Sequence, residues 1–306
     1  MTALPFPSLR VPSARRRDWT DTRRGWLLAG PAIILLAALT VAPFLLVFGL
    51  SVTDYSLGAT HWSFTGLSNY AAILGDRRAM LAVMHTAVYT GIVVPLSAGL
   101  GLVLALMIQE RRRLRHAYEV AFFLPATSTF IAMALVWQFL LHGRIGPINE
   151  WVVALGFKRI DFLTDPATAL PTLAVIGAWQ LVGQTTILFL AGLASIPADI
   201  YAAAALDGMD RGWDRLVRIT LPMLAPTTLF IVVTTTATAL QAFDAVAALT
   251  QGGPAGSTET LLYRIYLEAY QYTNMGYAAA LSVFFMAAIV TLSLVQIFFA
   301  DKRIHY

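Results

Sequence analysis

Residues 81–108 read LAVMHTAVYTGIVVPLSAGLGLVLALMI and contain no Asp, Glu, Lys or Arg. At 1.5 Å per residue this run, coiled as a helix, is long enough to cross a hydrocarbon core about 30 Å thick. Backbone N–H and C=O groups find no partner in hydrocarbon, so a single segment that crosses must be helical. Basic residues bracket the run, with Arg77 and Arg78 before it and Arg111, Arg112, Arg113 and Arg115 after it. Outward from this stretch, similar apolar runs lie near 26–50, 119–142, 169–194, 223–249 and 278–300. The pattern predicts an all-α polytopic membrane protein of six spans, with a 1–25 tail rich in Pro and Arg ahead of a 26–306 membrane domain.

Composition agrees. The 306 residues are 58% hydrophobic and 12% charged, whereas soluble domains carry about 25% charged residues. No cysteine is present, which excludes disulfides, thiolate metal sites and a cysteine nucleophile. The run at 26–50 follows Arg23 and Arg24 but is too long for a signal-peptide core and holds Pro31 and Pro43, so it reads as a retained first span. Trp26, Trp62, Trp151, Tyr266 and Tyr277 sit at span ends, as an interfacial aromatic belt does. Of the 21 Lys and Arg, fifteen fall in the two tails and the 109–118 and 195–222 loops, and six in the other three loops. The positive-inside rule therefore predicts a cell-membrane protein with both termini cytoplasmic, and an even span count requires the same.

Energy-supplying chemistry is missing. A P-loop needs a Lys followed by Ser or Thr; the two lysines, Lys158 and Lys302, are each followed by Arg. His61, His85, His116, His142 and His305 are scattered near span ends and loops, which suits structural roles better than a metal site. Ion-coupled carriers bury several ionisable groups at mid-membrane. Here Glu119 stands at the start of span three, and an unbroken helix from Met223 would carry Asp244 about 30 Å, close to the outer face. Neither resembles a proton relay, so another subunit has to supply the energy.

The 195–222 loop departs from the rest. It reads SIPADIYAAAALDGMDRGWDRLVRITLP. Pro197 suits a first helical turn, with Ser195 or Ile196 as cap. The alanine run favours helix, and Gly208 ends it. A second helix is expected from about Asp210, with Trp213, Leu216, Val217 and Thr220 on one face. Pro222 then restarts the chain into span five. The product is a helical elbow with small side chains, suited to close approach by another protein or to lying on the lipid surface.

This elbow resembles the coupling loop of binding-protein-dependent ABC importer permeases, whose signature is Glu-Ala-Ala, a Gly, and later Ile-x-Leu-Pro. Ala203, Ala204, Asp207, Gly208, Ile219, Leu221 and Pro222 supply the match. Ala202 stands where the family has Glu, and the spacing from Gly208 to Ile219 is one residue longer than usual. Gly66-Leu67-Ser68-Asn69-Tyr70, Phe123-Leu124-Pro125, Trp137, Gly146, Asn149, Phe243-Asp244, Leu249 to Pro254 and Thr258 to Leu261 follow in the order of the carbohydrate-uptake type. That type includes the first permease subunits of the maltose and glycerol-3-phosphate transporters. The resemblance implies a type I importer permease fold with cytoplasmic coupling helices. It also implies a second six-span permease, two cytoplasmic ATPase subunits and an extracytoplasmic solute-binding protein. ATP and Mg would be bound by the ATPase subunits, and this chain would hold no cofactor. Beyond these proteins it would touch membrane lipid and no nucleic acid.

A solute path needs polar groups on an inward face. Thr227, Thr234, Thr238 and Gln241 lie within about 60° on span five, with Asp244 beside them. Gln180 and Gln184, next to Trp179, lie near the middle of span four. Amides, hydroxyls and an aromatic face suit a sugar, while threonines in spans also bond neighbouring helices. Arg and Lys are absent from the span interiors, which favours a neutral or zwitterionic solute and leaves glycerol-3-phosphate or a glycerophosphodiester open. Two rivals remain, an intramembrane enzyme and a self-contained channel or carrier. Lipid turnover by the chain alone would mark the first, and ATP-independent transport by the chain alone the second.

Overall fold

The computed structural model describes residues 19–110, 129–209 and 212–301. Most of the 1–25 tail, the start of span three with Glu119 and Phe123-Leu124-Pro125, and Asp210 lie outside the described residues. The chain divides into one unit ending at Gly49 and a second beginning at Leu50. The first unit carries α1 (Trp19–Leu36), a π turn (Ala37–Val41) and most of α2 (Ala42–Ser51). Pro43 explains the turn. It lacks an N–H and its ring collides with the carbonyl four residues back, and a wide turn just ahead of it relieves the collision. The N–H of Ala42 accordingly reaches Ala37 O.

The second unit holds α3 (Ser68–Gly75), α4 (Arg77–Glu110), α5 (Phe130–Leu140), α6 (Pro147–Ala154), α7 (Ala169–Ser195) and α8 (Ala198–Leu206). After these come α9 (Gly212–Met223), α10 (Ala225–Leu240), α11 (Leu261–Tyr266) and α12 (Met275–Asp301). No strand occurs among the described residues, only an isolated antiparallel bridge between Thr53 and Phe64. Four described stretches are long and apolar enough to cross a membrane: Trp26–Ser51, Arg77–Gln109, Ala169–Ser195 and Met275–Phe298. A fifth is the pair α9 and α10, bent by 65°. Of the expected third span, only α5 and the residues beside it are described.

Helices in a bilayer gain little from the hydrophobic effect against one another, so close packing through small residues holds them. α4 and α7 run parallel in this way. Gly177 lies against Tyr89 and Val93, and Gly101 against Thr185, whose Oγ1 donates to Ser97 O at 2.8 Å. α7 and α10 run antiparallel and meet where a Cβ at Gly192 would stand 2.7 Å from Thr227. α12 closes on α10 through Gln296, whose Nε2 donates to Thr236 Oγ1 at 3.0 Å.

Three expectations are corrected. Pro197 caps α8 and does not open its first turn. It holds Ile196 extended at ψ 121°, the restraint proline places on the residue before it, so the helix starts at Ala198. Pro222 lies inside α9 and does not restart the chain, because a π turn at Leu216–Thr220 absorbs it as the one ahead of Pro43 does. The break comes at Leu224, and Pro226 opens α10. The fifth span is not one helix to 249. At its end the N–H groups of Gln241 and Ala242 turn back to Thr238 O and Ala239 O, three residues away. Thr260 Oγ1 then takes the Ala242 carbonyl at 2.7 Å, and the chain recoils only at 244–250.

Candidate functional site

The elbow is α8, the turn after it and α9. Its first helix ends in a Schellman motif, with the N–H of Met209 on Ala204 O (2.8 Å) and that of Gly208 on Ala205 O (3.2 Å). Gly208 sits at φ +81°, where only glycine is free of strain, and the space its Cβ would occupy is open. Of the residues singled out, Ala204 is buried, Ile219 and Leu221 are half-buried, and Ala203, Asp207, Gly208 and Pro222 are exposed. Ala202, Ala205 and Leu206 are exposed as well. The outward surface of α8 is thus mostly methyl groups. Of the face expected on the second helix, Thr220 is buried and Leu216 half-buried, but Trp213 and Val217 point outward. The π turn changes the helical phase that the expectation assumed.

The elbow is joined to the bundle. Ile196 and Leu224, at its two roots, are buried in one cluster with Ile108 of α4, Phe189 and Leu193 of α7 and Ile231 of α10, and Tyr201 packs on the same cluster. Tyr201 also meets Thr220 (Oη to Oγ1, 3.4 Å), and the guanidinium of Arg215 lies over its ring at 5.2 Å. Force on α8 therefore reaches α4, α7 and α10 through close-packed side chains, which transmit displacement with little compression.

The polar belt lies deeper. Thr234 Oγ1 donates to Phe230 O (2.8 Å), Thr238 Oγ1 to Thr234 O (3.0 Å) and Gln241 Nε2 to Ala237 O (2.9 Å). Each donor is met within its own helix while the oxygen lone pairs stay available. Thr238 and Gln241 are exposed and Thr234 half-buried, whereas Thr227 packs on Gly192 and leaves the set. On α7, Gln184 is exposed and Gln180 half-buried, and Trp179 meets Trp137 edge-on at 5.3 Å. α7 and α10 are antiparallel from the Gly192–Thr227 contact. Gln184 and Thr234 to Thr238 therefore lie at about one depth, roughly 12 Å along the helices. Among the described residues no hydrogen bond joins the two sets. Asp244 is exposed beyond the break in the short 244–250 coil, and so is not part of the α10 stripe.

At the other end lies a feature the sequence reading missed. Arg264 of α11 is buried, with Nη2 2.5 Å from Glu268, 3.6 Å from Asp76 and Nη1 3.7 Å from Glu259. Asn274 donates to Glu268 (3.0 Å) and Tyr277 Oη to Asp76 (2.9 Å). Burial acts to raise the Asp76 carboxyl, but hydrogen bonds from Tyr277 and from the N–H groups of Arg78 and Ala79, with Arg264 beside it, outweigh this and hold it below the ordinary carboxylate value. Beside this knot the rings of Phe243, Tyr266 and Tyr270 follow one another at 5.3 and 5.5 Å. The only signal in the sequence was the i, i+4 spacing of Arg264 and Glu268.

Residues 97–306 match the model of the family described as binding-protein-dependent transport system inner membrane component. The chain belongs to that family. As such a permease it is a transporter component of an inner membrane, all-α in fold. Its relatives include the sn-glycerol-3-phosphate transport system permease protein UgpA of Agrobacterium fabrum, 30% identical, with 92% of this chain and 96% of that one covered. The lactose transport system permease protein LacF of Rhizobium radiobacter is 31% identical over 91% of this chain and 94% of its own. The trehalose/maltose transport system permease protein MalF of Thermococcus litoralis is 28% identical over 91% and 94%. Among solved structures, a chain of a bacterial ABC transporter that imports the acidic polysaccharide alginate superposes with a TM-score of 0.79. It is 24% identical, with 93% of this permease and 98% of that chain covered, a likeness of fold.

Proposed function

We propose that this permease forms the membrane path of an ATP-driven importer for a sugar or similar small polar solute, handed over by an extracytoplasmic binding protein. The observation that carries the reading is the elbow. The outward surface of α8 is mostly alanine, with Leu206 and Asp207 exposed at its end, its helix is locked by a Schellman turn, and its roots are packed into three spans. In this reading the elbow faces the cytoplasm with both termini, as the basic residues suggest. Two ATPase subunits hold ATP and Mg and grip the elbow, and a second permease completes the path. Closure of the ATPases on ATP displaces α8, and the Ile196–Leu224 cluster passes the displacement to α4, α7 and α10. Solute crosses the belt of Gln180, Gln184, Thr234, Thr238 and Gln241, with Asp244 nearer the mouth.

Reconstitution in liposomes tests this. Uptake is expected only with the ATPases, the second permease, the binding protein and ATP together. The pair Gln184→Leu and Thr238→Val removes polar partners while sparing the elbow, so uptake is expected to fall about tenfold with assembly unchanged. Transport by this chain alone, without ATP, would refute the reading. A phosphorylated solute is the second reading, favoured by the glycerol-3-phosphate permeases among the relatives. Against it, α7, α10 and the described part of α5 hold no Arg or Lys, and Arg215 and Arg218 belong to the elbow helix α9. A thermal-shift screen of the cognate binding protein decides between them, a sugar being expected to stabilise it and sn-glycerol-3-phosphate not.

A further inference from the structure

Arg77 and Arg78 form the first turn of α4, the helix end where the dipole disfavours positive charge. Among the described residues neither has an ion-pair partner. A cavity of about 460 Å³ separates them from the 255–259 loop, and Arg77, Arg78, Leu81, Gly256 and Glu259 line it. Glu259 turns Oε2 toward Arg264 at 3.7 Å, while its Oε1 lies on the Gly256 side, 3.4 Å from where a Cβ at Gly256 would stand. Asp76, the other acid at this helix start, is engaged by the Arg78 N–H (2.8 Å), by Tyr277 and by Arg264. Two cations and one free carboxylate oxygen therefore border a single space.

An apolar stripe continues from it. Arg77, Leu81, Met84 and Val88 fall within about 60° around the helix at 100° per residue. Leu81, Met84 and Val88 are 41%, 61% and 40% exposed. A charged slot at the end of a membrane helix, running into an exposed aliphatic face, has the polarity profile of one phospholipid molecule.

We propose that this slot binds the phosphoethanolamine headgroup of a membrane phospholipid. The phosphate sits on Arg77 and Arg78, the ammonium on Glu259, and an acyl chain lies along Leu81, Met84 and Val88. Arginine matches phosphate oxygens two at a time, and a primary ammonium brings the N–H donors that a carboxylate accepts. A choline headgroup has no such donors, and a glycerol headgroup brings no cation to the Oε1 of Glu259, whose Oε2 faces Arg264. The site is independent of which solute is imported.

The test uses the assembled transporter in nanodiscs of phosphatidylcholine containing equal minor fractions of phosphatidylethanolamine and phosphatidylglycerol, with retained lipid read by native mass spectrometry. The wild-type complex is expected to retain phosphatidylethanolamine about tenfold over its share. The double variant Arg77→Gln with Arg78→Gln loses this enrichment, and the corresponding pair of lysines keeps part of it. Glu259→Gln moves the preference to phosphatidylglycerol, because an anion site without its carboxylate remains. Both arginines are exposed and outside the Arg264 knot, so the double variant folds. Unchanged phosphatidylethanolamine retention in the arginine variant overturns the proposal. So does displacement of the lipid by soluble phosphoethanolamine at equal concentration, which would mark a site for a free solute. Weakened docking of the binding protein with lipid retention intact would instead assign the arginines to a protein contact.

Discussion

Two arginine pairs, each spaced i, i+4, mark the two ends of the bundle and differ in nearly everything else. Arg264 and Glu268 meet at 2.5 Å with their side chains 6% and 5% exposed, amid two further carboxylates. Arg218 and Asp214 on the elbow meet at 3.4 Å with theirs 70% and 66% exposed. The same sequence spacing thus builds a fixed point in one place and an ornament in the other. Burial decides which, because a charge removed from water must keep its partner, while an exposed pair is already well served by solvent. The knot ties the start of α4, α11 and the start of α12 into one block. The elbow leaves Ala202, Ala203 and Ala205 exposed. The proposed coupling needs both, since a displacement imposed at one end does work only if the other end resists.

Breaking the buried pair should have the largest effect. Arg264→Met leaves Glu268 and its neighbours without a cation, at a cost of about 3–5 kcal/mol. In detergent the purified chain is expected to lose most of its folded population, measured by the thermal unfolding midpoint. Glu268→Gln keeps a hydrogen-bond acceptor for Arg264 and should cost less. Next in size is Gly192→Val, whose side chain would enter space held by Thr227 and Leu224. Overpacking of this kind costs about 1–3 kcal/mol. Thr227→Ala in the same chain should recover part of the midpoint, as contact at that crossing requires.

The elbow's own weak point is conformational. A Cβ at Gly208 meets no atom within 4 Å, so the main penalty of Gly208→Val comes from φ +81°, about 1–2 kcal/mol for a side chain that disfavours the left-handed region. Gly208→Asn should be tolerated. In reconstituted transporter, the valine variant is expected to hydrolyse ATP with reduced uptake per ATP, and the asparagine variant to remain near wild type. Equal behaviour of the two would detach the Schellman turn from coupling.

Much of this was legible in the sequence for one physical reason. Hydrocarbon forbids unpaired backbone, so an apolar run such as 81–108 has only one structure available. The turn at Gly208 was legible because alanine propensity and the glycine conformation act within a few residues. The break after Leu240 was not, because Thr260, eighteen residues on, takes the Ala242 carbonyl. Pro222 misled because the π turn that accommodates it has no marker of its own. Arg264 was counted only as a loop charge, since Asp76 and Tyr277 come from distant parts of the chain. Of the polar belt, the threonine stripe was legible as helical spacing, but Thr227 belonged to a helix crossing and Asp244 lay beyond the break.

Acid should probe the knot more gently than mutation. The carboxyl of Asp76 is held below its ordinary value of 3.8 in the folded chain. Its contribution is therefore fully present above that pH and is lost as the pH falls through the lower folded value. Between neutral pH and about pH 5 the unfolding midpoint should be indifferent to Asp76, and below its ordinary value wild type should lose an increment that Asp76→Asn does not.

The smallest effect belongs to the exposed pair, and it is the most informative about the elbow. Arg218→Ala should change the stability of the isolated chain by less than about 0.5 kcal/mol, within the scatter of a thermal midpoint. If the pair is ornamental in the complex too, ATPase binding and uptake will also stay at wild-type levels, and docking rests on the rest of the exposed elbow, chiefly the alanines of α8 with Leu206. If stability is unchanged while ATPase binding falls and becomes sensitive to salt, Arg218 contacts the partner directly. A cation on α9, opposite in sign to the Glu whose place Ala202 takes, would then meet an acidic group of its own on the partner, and the contrast between a fixed end and a gripped end would acquire an electrostatic term.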